Sequence, residues 1–122
     1  MPLTSAAVII AALYGACGTA LLAAGSHAAG GLATTAGQML LWHAPAIIAA
    51  AVARENGLLH RSIGTLAIVM LIAGVGLFAA DLAVRAFLGW PRLFPMAAPT
   101  GGMLTIGGWV VLAAAALARP RL

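Results

Sequence analysis

The residues best equipped for chemistry cluster early in the chain. The stretch GSHAAGGLATTAGQMLLWHAP, residues 25 to 45, carries His27, Gln38 and His43 and holds no Lys, Arg, Asp or Glu. Imidazole nitrogens ligate haem iron, copper or zinc, and Met39, one turn before His43, adds a soft sulfur. The same side chains can instead hydrogen-bond across helices and hold a small membrane bundle together. The spacing favours the second use. Neither a His-x-x-x-His set nor two histidines at matching depth is present, so no cofactor is predicted, and a haem or metal site on His27 and His43 is the alternative.

Asp81 and Arg85 form the second cluster. Their i, i+4 spacing lets a carboxylate meet a guanidinium on one helix face. An ionisable group within a membrane span is a functional candidate by default, because an unpaired charge is expensive there. With its partner one turn away, Asp81 reads first as half of a structural ion pair and second as a proton or ion relay. The remaining reactive types make no constellation. There is one Asp and one Glu, no phosphate loop and no carboxylate pair, so hydrolase and transferase chemistry is unsupported and the chain is not expected to be an enzyme. His60, beside Arg61, is expected to be solvated. Cys17 is the single cysteine, expected as a small packing residue, and forms no intrachain disulfide. A cleaved leader is not expected either, since no basic residue precedes the first apolar run.

The composition says what must position these groups. Of the 122 residues 64% are hydrophobic and 7% charged, with a mean hydropathy of +1.12. Soluble domains carry about 25% charged residues, so the solvent for most of these side chains is lipid. The net charge of +4 comes from six arginines at segment ends rather than from a basic stripe. They read as topology and headgroup signals, and nucleic-acid binding is not expected.

Four apolar runs predict an all-α membrane protein, a four-transmembrane-helix up-and-down bundle forming one domain over residues 1–122. The expected helices cover about 5–25, 38–53, 63–84 and 99–118, each near the roughly 20 residues a crossing needs. Small residues step along the first run as Ala7, Ala11, Gly15, Thr19 and Ala23, and recur as Ala73, Gly76 and Ala80, and as Gly101, Thr105 and Gly108. In lipid such stripes permit close backbone approach. They mark either the bundle interior or a surface for a partner helix. Four arginines (Arg54, Arg61, Arg119, Arg121) against two (Arg85, Arg92) favour both termini in the cytoplasm. His27, Gln38, His43, Asp81 and Arg85 would then converge toward the opposite face. Pro45 either kinks the second helix beside His43, freeing the Leu41 carbonyl, or starts that helix. Trp42 and Trp90 suit an interfacial belt and Trp109 a deeper position. The loop LGWPRLFPMAAPTGG is apolar enough to lie in the interface.

Three motifs in order resemble a known family. The end of the first run, AAGSHA with His27, the start of the second, QMLLWHAPA with Gln38 and His43, and APTGGMLTIGGW in the fourth resemble the domain-of-unknown-function family 423, related to the transmembrane protein 256 group. The resemblance spans nearly the whole chain. Trp42 stands where the family usually has Tyr, Pro45 interrupts a stretch normally free of proline, Asp81 replaces a small polar residue, and the third loop is longer. The resemblance implies a small multi-pass protein of the bacterial inner membrane, with His27, Gln38 and His43 acting as one unit, and implies no activity. The expected role is therefore non-enzymatic: to stabilise or assemble with other membrane components, as an accessory subunit or homo-oligomer in the lipid bilayer. A redox or metal-binding subunit and an oligomeric proton or solute channel are the alternatives.

Overall fold

The computed structural model describes residues 2–120. The chain is all-α, and no strand occurs among the described residues. The α-helices are α1 (Leu3–Ala24), α2 (Gly30–Glu55), α3 (Arg61–Leu88) and α4 (Ala97–Leu117), with a π-helical turn, Gly25–Ala29, between the first two. Three unbroken helical stretches are long and apolar enough to cross a membrane: Leu3–Glu55 with 53 residues, Arg61–Leu88 with 28 and Ala97–Leu117 with 21.

The expectation of a loop over residues 26 to 37 is corrected here, because helical structure runs through the reversal. Gly30 adopts φ 73°, ψ −161°, a conformation essentially reserved for glycine. One residue therefore turns the chain, and α2 begins eight residues before the expected Gln38. The other boundaries lie within a few residues of those read from hydropathy.

Extensive packing joins consecutive helices, α1 on α2, α2 on α3 and α3 on α4. Between non-neighbours, α1 reaches α3 at Tyr14 and α4 reaches α2 at Trp109. The four helices thus form a staggered row with α1 and α4 outermost. Ile47, Ile68, Leu71 and Val75 are fully buried where α2 meets α3. Large apolar side chains such as Leu13, Val69, Met103 and Val110 cover the exterior, a surface suited to lipid rather than water.

Two helix crossings bring backbones into contact, and they are the same crossing made twice. A Cβ placed on Gly18 would meet the Gly37 carbonyl oxygen and the Leu41 amide, both at 2.9 Å. On Gly74 it would meet the Gly101 carbonyl at 2.8 Å and the Thr105 amide at 2.7 Å. In the reverse direction Gly37 faces the Gly18 carbonyl and the Leu22 amide, and Gly101 faces the Gly74 carbonyl and the Phe78 amide. Every partner in the first hairpin has its counterpart 56 positions later on α3 or 64 positions later on α4. The difference of eight between the two offsets equals the further run of α3 past its crossing, since α3 ends at Leu88 where the counterpart of Ala24 would be Ala80, while the longer second linker is offset by the later start of α4. The protein is a tandem repeat of one helical hairpin.

The crossing also corrects the packing stripe on α1. Steps of four advance 400° and drift 40° each against a 3.6-residue turn, so a stripe begun at Ala7 and Ala11 leaves the interface by Thr19. The face that stays in contact alternates steps of four and three. Ala7, Ala11 and Gly18 are buried along it, while Thr19 and Ala23 are exposed. Gly15 touches only the Ala44 Cβ, at 3.9 Å. On α4 the stripe Gly101, Thr105 and Gly108 does lie against α3, where Leu71 reaches within 3.0 Å of a Cβ on Gly108. Gly76 makes room for the hydroxyl of Tyr14.

Candidate functional site

His43 is a buried polar group midway along α2. It is the fourteenth of the 26 residues of α2, and Trp109 is the thirteenth of the 21 of α4. The two helices run parallel, so both side chains lie about 20 Å from the same end. The His43 Nδ1 atom lies 2.8 Å from the Met39 carbonyl oxygen, which can only accept, so Nδ1 carries the proton. The Nε2 atom is left as an acceptor and takes the Trp109 indole N–H at 3.2 Å. The rings sit with centroids 5.8 Å apart at a tilt of 58°. Both imidazole nitrogens are therefore engaged in a neutral ring that is 9% exposed.

Asp81 is fully buried near the other end of α3. Its Oδ1 accepts the Leu93 amide at 2.7 Å, and its Oδ2 lies 2.7 Å from Arg85 Nη2. The second contact is charge pairing without hydrogen-bond alignment, and the buried Arg85 Nε has no partner among the described residues. The carboxylate thus ties the α3–α4 linker back to α3 while neutralising the guanidinium beside it.

At the opposite end Arg54 Nε donates to the Arg61 carbonyl at 3.1 Å and the Thr65 hydroxyl at 2.8 Å, joining α2 to α3. Thr4 donates to Glu55 at 3.0 Å, joining α1 to α2. His60 is half-buried rather than solvated, a correction to the sequence reading. Its Nδ1 accepts from the Ile63 amide at the start of α3, and its own N–H donates to the Ala115 carbonyl at 2.8 Å. Histidine in this position works as an N-cap, the role usually filled by Ser, Thr, Asp or Asn.

The five residues expected to converge do not form one unit. His27 is exposed on the π turn. Because α2 starts at Gly30, Gln38 is about 12 Å and His43 about 20 Å along the helix from that turn. One ion or one haem iron cannot take both histidines. Gln38 is half-buried in α2, and Asp81 and Arg85 serve each other and the linker. Among the described residues no three His, Cys, Asp or Glu side chains are grouped to hold a metal ion. Pro45 lies within α2, on its exposed side. Cys17 is exposed rather than packed. Sequence reasoning assigned no partner to two residues. Tyr14 donates its hydroxyl to the Ile72 carbonyl across the α1–α3 contact, and Trp109 is the partner of His43. A usable signal existed for both, because a Tyr hydroxyl or an indole N–H inside a span needs an acceptor.

The family model described as "Protein of unknown function (DUF423)" matches residues 14–102. The chain belongs to the DUF423 family. No curated protein and no solved structure matches it. The DUF423 segment opens at Tyr14 and closes just after Gly101, so it contains all four crossing glycines, His43, Asp81 and Arg85. It ends before Trp109, which lies in the part of α4 beyond the DUF423 match.

Proposed function

We propose that this DUF423 chain is a non-enzymatic integral membrane protein that crosses the bacterial inner membrane four times and assembles with other membrane components. At 1.5 Å per residue α1 and α2 are about 33 and 39 Å long, each enough for a hydrocarbon core of about 30 Å. Their antiparallel packing supports two crossings within the stretch Leu3–Glu55. Arg54, Arg61 and Arg119 at one end against Arg85 and Arg92 at the other support cytoplasmic termini; Arg121 lies outside the described residues.

The observation that carries this reading is the direction of the polar bonds. His43, Tyr14, Asp81 and Arg54 turn toward the chain's own helices and linker, and the outer faces they leave are apolar. A ligand role for His43 would first have to remove Trp109 from Nε2.

The test is a double-mutant cycle with His43→Leu and Trp109→Phe, read by unfolding in mixed micelles beside absorption spectra and metal analysis. Interhelical hydrogen bonds in membranes are worth about 0.6 kcal/mol on average and up to about 1.7. A coupling in that range with unchanged spectrum and metal content is expected. A coupling near zero would refute the His43–Trp109 bond as a structural tie, and loss of a chromophore or stoichiometric metal in His43→Leu would make His43 a ligand instead.

A further inference from the structure

The tandem repeat has an unequal consequence for its two outer helices. Inside the chain, α2 of the first hairpin packs on α3 of the second. By the repeat, α2 corresponds to α4 and α3 corresponds to α1. The matching contact, α4 on α1, is not made extensively within one chain. Each outer helix therefore carries a face whose twin is buried in the middle of the molecule.

The exposures follow this pattern. On α3, Ile68, Leu71, Val75 and Ala79 are all buried. Their counterparts on α1, 56 positions earlier, are Ala12, Gly15, Thr19 and Ala23, and none is buried. On α2, Leu40, His43, Ile47 and Ala50 are buried, while their counterparts Leu104, Gly107, Val111 and Ala114 on α4 are not. The two open faces are complementary in size. The α1 face is made of small residues, and the α4 face offers Leu104 and Val111 as knobs, the combination that gains van der Waals contact where lipid supplies no hydrophobic drive.

We infer that α4 of one copy packs on α1 of a second copy, repeating between chains the α2–α3 contact made within each. Such a contact is head-to-tail: the two surfaces differ, and successive copies close into a ring when the rotation per copy permits. It gives a purpose to Thr19 and Ala23, small residues that no helix of their own chain covers. The inference rests on the membrane-embedded reading proposed above, and takes the partner to be the chain itself.

Two singly substituted chains test it, both with Cys17→Ala and each with its own tag: one with Ala12→Cys, the other with Val111→Cys. They are co-reconstituted into phosphatidylethanolamine–phosphatidylglycerol vesicles and treated with a short bismaleimide. The expected product is a mixed dimer carrying both tags, several-fold above that from Ala12→Cys with Val110→Cys, whose side chain points to lipid at 65% exposure. A mixed product no greater than this control overturns the inference, as does a Val111→Cys homodimer in excess of the mixed one, which marks a symmetric contact. The unmodified chain, released from its own membranes in gentle detergent, should have a native mass that is a multiple of 12.1 kDa. A membrane-derived monomer refutes the self-contact and leaves the four-span reading standing, whereas recovery outside the membrane fraction refutes that reading instead.

Discussion

The glycine crossings make the sharpest stability prediction, and Gly101→Ala is its cleanest form. The added Cβ would lie 2.6 Å from the Phe78 amide nitrogen, 2.8 Å from the Gly74 carbonyl and 3.0 Å from the Phe78 Cα. All three are backbone atoms of α3, so no side chain can swing aside. Restoring ordinary contact requires the helices to part by about 0.5–1 Å, which forfeits a quarter to a half of each affected dispersion well of about 0.1–0.2 kcal/mol. Over roughly 30 atom pairs that loses about 1–2 kcal/mol, within the range of 1–3 kcal/mol for overpacked cores. Gly31→Ala is the control, because a Cβ there meets nothing within 4 Å, and helix propensity alone would favour alanine by up to about 1 kcal/mol. The two variants should differ by about 2 kcal/mol, roughly 30-fold in the folding equilibrium, when unfolding in mixed micelles is followed by tryptophan fluorescence. Adding Gly74→Ala to Gly101→Ala should cost less than the sum, since the first substitution has already parted the same helices, whereas Gly18→Ala with Gly101→Ala should add. Equal stability of Gly101→Ala and Gly31→Ala would mean that the close approach does not exist in the membrane.

Two further outcomes follow from the polar groups. Asp81→Ala removes the acceptor of the Leu93 amide and the counter-ion of Arg85 together. Its cost should be about 1–3 kcal/mol, below the 3–5 of a fully buried broken pair because Arg85 is one-third exposed, and hydrogen exchange at Leu93 should accelerate while that in the middle of α3 does not. His27→Ala should change the unfolding free energy by less than about 0.5 kcal/mol, as expected of an exposed side chain away from any special feature; a larger loss, or a loss of bound metal, would return His27 to a functional role.

The class of fold was legible in the sequence because hydropathy acts over whole segments, and twenty apolar residues outweigh any local ambiguity. The first hairpin was not. Polar, small residues such as Thr34, Thr35 and Gly37 looked like a loop, yet they are helical because packing against α1 overrides their weak intrinsic preference. The repeat was hidden for a related reason. What the hairpins share is a backbone crossing that needs only Gly18, Gly37, Gly74 and Gly101, and four glycines among the chain's 15 make no visible motif. The i, i+4 pair Asp81 and Arg85 was readable because both partners lie on one helix. His43 and Trp109 lie 66 positions apart, and only equal depth in two parallel helices connects them.

The polar bonds and the glycine crossings divide the work of specifying this fold. Each crossing lies inside a hairpin, between α1 and α2 or between α3 and α4. The bonds from Tyr14 to Ile72, Trp109 to His43, and Arg54 to Thr65 all run between hairpins. They also break the repeat, since Tyr14 corresponds to Met70 and His43 to Gly107. Small-residue contact is forgiving along a helix axis, because a shift by one turn finds another small residue. A hydrogen bond to one carbonyl or one ring nitrogen has no such neighbour, and a slipped register strands an indole N–H or a hydroxyl in hydrocarbon. Two like hairpins in lipid could pair in more than one register or order. The unlike polar residues, used once each, select the order seen here and leave α1 and α4 as the outer helices. The same asymmetry that makes the chain fold one way is thus what leaves it with two unlike open faces.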